Sequence, residues 1–423
     1  MRKLYVSIEM NGTQTPVGVI AGNTTYDARF TYNEDYVAKN MPAISISLPL
    51  SNESFSPEET KKYFEGLLPE GFARKSVANW IHADEEDYLT ILEILGSECL
   101  GAIKISTDSV TDSRYESLSL EEVKALAREG VSKSTELVTE AHLSWTGASG
   151  KVGLYYDEKN DVWYKPMGDA PSTHIVKQSH VRLSGIVTNE QLSLLAAAEL
   201  GIEVPESFII NTGTAREEEV LFATKRYDRL INKESKMIDG LNCPFRLHQE
   251  DFAQALGIAS SEKYEKGNRR YLPEIFRILR NYSADPITDQ LKLWDIIVYD
   301  FLVGNTDNHI KNLSLLYSSD LKRINLAPAY DIVSTAIYSG SSREMAIGIG
   351  GERNLDKLRR QHFALAASDA GLNETIALRR FDAMANGFEN AMRVVSERLL
   401  AAGYDNVNEI KDKILINGGY GHL

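Results

Sequence analysis

LKLWDIIVYDFLVGNTDNHIKNLSLLYSSDLKRINLAPAYDI, from Leu291 to Ile332, decides how the rest of the chain is read. Up to Val303 it is apolar on nearly every side (Leu291, Leu293, Trp294, Ile296, Ile297, Val298, Phe301, Leu302), which predicts a buried helix that Gly304 ends. Asn305 to Asn312 follow as a polar loop. Leu313 to Tyr317 then read as a short strand, Ser318-Ser319-Asp320 as a turn and Ile324 to Leu326 as the returning strand. An antiparallel hairpin brings its outer ends together, so Asn312 and Asp331 are expected side by side. An amide and a carboxylate, both hard oxygen donors, suit Mg²⁺ bound to phosphates. Asp307 and Asn312 have the D-x-x-x-x-N spacing of a phosphotransfer loop, in which the Asp orients the attacking hydroxyl and accepts its proton. Such a string alone usually marks a turn. Here a buried helix precedes it, a hairpin follows and a carboxylate stands at the return end. Asp307 therefore reads as the catalytic base, with Asn312 and Asp331 as metal ligands.

Two further constellations fit the same chemistry. Ser144-Trp145-Thr146-Gly147-Ala148-Ser149-Gly150-Lys151-Val152-Gly153 spaces its glycines by three, immediately before a predicted strand. Glycine lets backbone N–H groups approach a phosphate closely. The string is not a P-loop, because its first Gly stands too close to Gly150-Lys151, Val152 replaces Ser/Thr, and a strand follows in place of a helix. Thr173-His174-Ile175-Val176-Lys177 puts a lysine at the end of an apolar strand, where it suits α/β-phosphates. Glu190, early in the next helix, is its expected partner, with Glu199 as the alternative. Glycine loop, lysine, glutamate, D-x-x-x-x-N and the second aspartate run in protein-kinase order.

The remaining chain predicts an α+β class: a two-lobed, protein-kinase-like fold, with a β-rich N-lobe and a helical C-lobe, carrying an extra small α+β N-terminal subdomain. In residues 1–106, Leu4, Val6 and Ile8 alternate before an Asn11-Gly12 hairpin turn. Ile44, Ile46 and Leu48 alternate again, and Pro57 opens a helix that Pro69 closes. The Ser-, Thr- and Asp-rich stretch Ser106 to Ser119 predicts a linker, taken as 107–120. Residues 121–245 read as β-rich, with a Val152–Tyr156/Val162–Lys165 hairpin, a helix capped by Thr188, and strands at Phe208–Ile210 and Val220–Ala223. Residues 246–423 read as mainly helical, over 250–257, 273–281, 288–303, 361–371 and 375–402.

Composition excludes several alternatives. With 43% hydrophobic and 25% charged residues over 423, the chain has ordinary globular usage. Cys99 and Cys243 are its two cysteines, which argues against a disulfide framework or zinc site and fits a reducing compartment. No run of about 18 apolar residues exists and the start lacks a signal-peptide core, so a cytoplasmic protein with no membrane contact is expected. The net charge of −14 repels a phosphate backbone and suits a basic protein partner, so DNA is expected only indirectly, through such a partner. Lys263, Lys266, Arg269 and Arg270 form the best local basic patch.

The chain resembles the HipA family, the toxin kinases of bacterial type II toxin–antitoxin modules. Asn305-Thr306-Asp307-Asn308-His309-Ile310-Lys311-Asn312-Leu313-Ser314, Ala329-Tyr330-Asp331-Ile332 and Thr173–Lys177 carry the likeness. So do Arg246-Leu247-His248-Gln249-Glu250-Asp251 and, in the N-terminal part, Ser47-Leu48-Pro49-Leu50, Phe64–Pro69 and Gly96 through Ala102. The resemblance implies a Ser/Thr protein kinase using ATP and Mg²⁺, with Asp307 as base and Asn312 and Asp331 on the metal. It implies ATP contacts from Lys177, from Gly147, Ala148, Ser149, Gly150 and Lys151, and from His309 and Lys311, with the adenine hinge around Lys225-Arg226-Tyr227. Ser144 falls where family members autophosphorylate and switch themselves off, and a phosphate there would repel those of ATP. A small DNA-binding, HipB-like antitoxin is the implied partner, and a translation component such as an aminoacyl-tRNA synthetase the implied substrate. Asn305-Thr306 stand where ordinary protein kinases have His-Arg, and Ser149-Gly150 stand where the family has Gln and an acidic residue. The Arg246–Asp251 string matches without a physical account. Two other readings stay open, a kinase-fold corepressor scaffold and a small-molecule kinase. The intact Asp307, Asn312 and Asp331 weigh against the first, and the N-terminal unit with the Ser144 loop against the second.

Overall fold

A computed structural model describes residues 1–107, 112–129, 135, 151–178, 183–213, 215–216 and 219–423. The helices used below are α1 (Glu34–Ala38), α2 (Pro57–Phe64), α3 (Gly71–Trp80), α4 (Tyr88–Leu95), α5 (Leu120–Glu129), α6 (Ile186–Glu199), α7 (Phe252–Leu256), α8 (Tyr271–Tyr282), α9 (Pro286–Val303), α10 (Arg360–Asp369), α11 (Glu374–Ala401) and α12 (Val407–Asn417). The chain divides into two compact units. Unit one holds Met1–Gln178, Ala223–Ser260 and Leu316–Arg323, and unit two holds Ser179–Phe222, Ser261–Leu315 and Ile324–Leu423.

Unit one opens with β1 (Arg2–Met10) and β2 (Thr13–Gly22) around Asn11-Gly12, whose φ of 48° and 73° are those a two-residue mirror-image turn requires. With β3 (Arg29–Tyr32) and β4 (Ile103–Ser106) they form a sheet in the order β3-β2-β1-β4. Leu4, Val6 and Ile8 are buried, as their alternation predicts. Pro57 begins α2, and Ser56 and Glu59 form a reciprocal capping box. Ile44 to Leu48 is not the strand its alternation suggested, and only an isolated Ser45–Leu48 bridge forms. The buried Tyr32 hydroxyl accepts from the Ile44 N–H (3.0 Å) and donates to the Leu48 carbonyl (2.6 Å), taking the groups a ladder would use.

The second sheet of this unit contains β5 (Arg114–Ser117), β7 (Val162–Met167), β6 (Lys151–Asp157) and β8 (His174–Gln178), in that spatial order. The expected linker is corrected here, since Arg114–Ser117 pairs antiparallel with Tyr164–Met167. Tyr115, the one aromatic in that polar run, holds it in place. Its ring lies 4.6 Å from that of Tyr155, and its hydroxyl donates to the Pro171 carbonyl at 2.8 Å.

Unit two is built on helices around α9. Asp285 caps its start through the Thr288 N–H (3.2 Å), Pro286 occupies its first turn and Gly304 ends it at φ 76°. Trp294 is fully buried and donates its indole N–H to the Ala377 carbonyl of α11 at 2.9 Å. Thr188 does not cap α6 as expected. Gly185, at φ 72°, precedes the helix, which starts a turn earlier because Val187 and Thr188 already lie on its buried face. Among the described residues no helix is long and apolar enough to cross a membrane.

Candidate active site

The site grows from the buried end of α9. Asp300 accepts from both amides of the following loop, Asn305 Nδ2 at 2.9 Å and Asn308 Nδ2. Burial pushes its carboxyl up to about 7, and the two amide donors pull it partly back. The Asn305 N–H returns to the Asp300 carbonyl at 2.8 Å, so the chain reverses immediately after Gly304. Thr306 is held by Thr335, whose hydroxyl accepts from the Thr306 N–H at 2.8 Å. Between these anchors Asp307 is the only exposed residue from Asp300 to Lys311. Its backbone is kept by the Asn305 side chain (3.3 Å to the Asp307 N–H) and by the His309 N–H, which donates to its carbonyl at 2.7 Å. The Tyr264 hydroxyl donates to Asp307 Oδ1 at 2.6 Å.

Asn312 donates its amide NH₂ to the Asp307 carbonyl at 3.1 Å, which leaves the amide oxygen as its ligand atom. The return strand is brought up beside it by paired bonds. The Ala327 N–H donates to the Ser314 carbonyl at 2.9 Å, and the Tyr330 hydroxyl reaches both Ser314 Oγ (2.6 Å) and the Lys311 carbonyl (3.1 Å). The neighbours of Asn312 and Asp331 are thus pinned to one another. Asp331 takes φ 57°, a left-handed conformation that Asp tolerates better than most side chains and that is concentrated at functional sites. Just beyond it, Ser334 and Asn189 of α6 exchange two hydrogen bonds of 2.9 and 3.0 Å. The helix carrying the buried Glu190 is therefore hooked to the segment that carries Asp331. One amide oxygen and one carboxylate, hard donors on a fixed backbone, fit a magnesium ion with phosphate and water completing its shell.

In unit one, Lys177 on β8 stands directly opposite Lys151 on β6. Ser144, Gly147, Ala148, Ser149 and Gly150 lie outside the described residues. Lys225 ion-pairs with Glu158 at 3.1 Å, and the Tyr227 hydroxyl donates to Gln249. Lys177 belongs to unit one and Glu190 to unit two. In unit two, His309 and Lys311 are buried within the loop, and the His309 ring meets the Tyr264 ring edge-on at 5.2 Å.

The Arg246–Asp251 string now has a physical account. Arg246 is buried against Glu98 (2.7 and 2.9 Å), and its backbone N–H donates to Glu9 at 2.9 Å. Glu98 also accepts from Arg226 (3.0 Å) and Arg229 (2.8 Å), and Asp228 closes the network onto both arginines. Burial alone would raise the Glu98 carboxyl, but Arg229, Arg246 and Arg226 overcome it and hold it well below the usual range. Asp228 also accepts from the Gly101 N–H at 2.7 Å. Gly101, at φ 73°, leaves no room for a Cβ, which would stand 2.7 Å from the Gln249 nitrogen. Further along the string, His248 bonds the Ile44 carbonyl at 2.7 Å and Asp251 caps α7. Glu250 accepts from Ser45, the Ile46 N–H (3.1 Å) and Tyr317. The string ties the body of unit one to its N-terminal segment. Its partners lie far away in sequence, which is why the string was opaque by itself. Tyr264 was missed for the same reason, its one visible sign being an aromatic inside the basic cluster.

Comparisons with known proteins place these features in context. A family model described as HipA-like C-terminal domain matches residues 143–392, and one described as HipA N-terminal domain matches residues 8–106. The Sinorhizobium fredii protein Y4mE is 29% identical over 394 residues, covering 90% of each chain. The Serine/threonine-protein kinase toxin HipA of Shewanella oneidensis is 23% identical over 92% of this chain and 89% of its own. The solved complex of the Shewanella oneidensis MR-1 toxin–antitoxin system, HipA, HipB and operator DNA, contains a chain of like fold. Its TM-score is 0.77 at 20% identity, over 97% of this chain and 96% of that one.

Proposed function

This chain belongs to the HipA family of protein kinases, and we propose that it transfers the γ-phosphate of ATP to a protein serine or threonine as the toxin of a toxin–antitoxin module. The support comes chiefly from one arrangement, the Asn312 amide anchored on the Asp307 carbonyl while Tyr330 ties the Asp331 segment to Lys311. Asp307, exposed at the loop's crest, orients the acceptor hydroxyl and takes its proton as the oxygen attacks the γ-phosphorus. Asn312 and Asp331 hold Mg²⁺, which when bound neutralises charge on the phosphates. Lys177 and Lys151 receive the phosphates, Glu190 orients Lys177, and the loop of Gly147, Ala148, Ser149 and Gly150 covers them. His309 and Lys311 contact ATP, and the hinge around Lys225 to Tyr227 borders the adenine.

In this reading residues 1–106 are an appended subdomain and residues 121–245 and 246–423 the kinase lobes. The protein works in the cytoplasm. Its partner is a small DNA-binding antitoxin whose basic surface meets a chain of net charge −14, so DNA contact runs through that partner. Ser144 is the autophosphorylation site, and the substrate is a translation component such as an aminoacyl-tRNA synthetase. The first experiment is intact mass after incubation with MgATP, wild type against Asp307→Gln, followed by peptide mapping. One added phosphate at Ser144 in the wild type alone is expected. No phosphate on either protein, with no MgATP binding by calorimetry, would leave a kinase-fold scaffold in its place.

A further inference from the structure

The loop between Ser261 and Arg270 reaches the base through a shared strand. The Ala346 N–H donates to the Thr306 carbonyl at 3.0 Å, and the Ala346 carbonyl accepts from the Glu265 N–H at 2.9 Å. One residue of the strand Glu344–Ile349 therefore holds both segments, Thr306 through its N–H and Glu265 through its carbonyl. The residues adjacent to these, Asp307 and Tyr264, are set against each other by register. Glu265 is buried and fixed further by the Tyr271 N–H (2.9 Å) and by Arg353, so the loop is anchored one residue after Tyr264. Tyr264 itself is 38% exposed. Its ring meets His309 edge-on, Lys263 Nζ stands 5.4 Å from the ring centre, and its hydroxyl donates to Asp307 Oδ1 at 2.6 Å.

That last contact is the one an acceptor hydroxyl makes with a phosphotransfer base. We propose that Tyr264 guards the base. Its phenol occupies the acceptor position on Asp307, keeps water from it, and gives way only to a protein hydroxyl whose flanking chain engages the enzyme. Release needs rotation of one half-exposed side chain beside a fixed Glu265, not unfolding of the loop. Tyr264 is then a specificity-determining residue that separates transfer to protein from hydrolysis. In hydrolysis the oxygen of water would bond to the γ-phosphorus, the bond to the β-bridging oxygen would break, and ADP, inorganic phosphate and a proton would leave.

The inference rests on the kinase reading above, and its test separates the two. Phosphate release from MgATP is measured without added acceptor in a Ser144→Ala background, on protein whose intact mass stays free of phosphate, for the parent, Tyr264→Phe and Tyr264→Phe/Asp307→Asn. The phenylalanine keeps the ring contacts and deletes only the hydroxyl. Loss of a hydrogen bond to a charged group predicts hydrolysis about tenfold faster or more in Tyr264→Phe, returning to background in the double variant. A Tyr264→Phe rate equal to or below the parent, still dependent on Asp307, overturns the guard and leaves the kinase standing. No turnover and no MgATP binding in either the parent or Tyr264→Phe removes the kinase reading and the guard with it.

Discussion

Replacing Glu250 by Gln should make unit one more stable at alkaline pH. The Glu250 carboxyl is fully enclosed, with Ser45, the Ile46 N–H and Tyr317 donating to it and Asp251 nearby. Burial pushes it from 4.5 up to about 7, the three donors pulling only partly back. The folded protein thus holds this proton more tightly than the unfolded chain does. The stabilisation is complete below pH 4.5 and is lost as pH rises through about 7. At 1.36 kcal/mol per pH unit the loss is about 3 kcal/mol. Gln keeps the shape and cannot ionise. Its amide oxygen can accept from Ile46 and Tyr317, and its NH₂ can donate to Ser45 Oγ once that hydroxyl turns. Urea unfolding followed by circular dichroism at fixed pH values from 4.5 to 8 measures both proteins. The stability of Glu250→Gln relative to wild type should rise by about 3 kcal/mol across that range, while other titrations, such as that of Asp300, cancel in the difference. Parallel pH profiles, or a variant weaker than wild type at pH 8, would refute the argument.

Other expectations follow from the same contacts. Glu98→Ala leaves Arg226, Arg229 and Arg246 without their shared acceptor and should cost about 3–5 kcal/mol by urea unfolding. Gly304→Ala puts a Cβ 2.7 Å from that of Ala336 at a residue with φ 76°, so a loss of at least about 1–2 kcal/mol is expected, read as a lower melting temperature. Asp300→Asn sets an amide NH₂ against one of the Asn305 and Asn308 amides. It should loosen the loop under Asp307, lowering the phosphotransfer rate about tenfold, with unfolding free energy falling by about 1–3 kcal/mol. Mass-spectrometric initial rates beside urea titrations check both figures.

Local rules made much of this molecule legible. The Asn11-Gly12 turn, the Pro57 helix start, the buried helix before Gly304 and the hairpin from Leu313 to Leu326 depend on neighbours within a few residues, and each was readable. Ile44 to Leu48 was not, because a tyrosine hydroxyl took the backbone groups that an alternating pattern promises to a sheet. Arg114–Ser117 was hidden by its polar composition, with Tyr115 the sole hint of a buried face. At the site, Asp307, Asn312 and Asp331 stand out because their spacing carries chemistry. Asp300 was submerged in an apolar run, and Tyr264 finds its partner 43 residues later. Partnerships at that range are settled by packing, and no window of sequence contains them.

The Glu98–Arg246 contact also sets a timetable for synthesis. The two residues are 148 positions apart, so at about 5–20 residues per second the ribosome needs roughly 7–30 s to deliver the arginine after the glutamate. Arg226 and Arg229, which also bind Glu98, emerge shortly before Arg246, whereas Glu9 waits for Arg246 itself. Glu98 therefore stays hydrated until Arg226 arrives and Glu9 until Arg246 does, so the complete network is among the last parts of unit one to close.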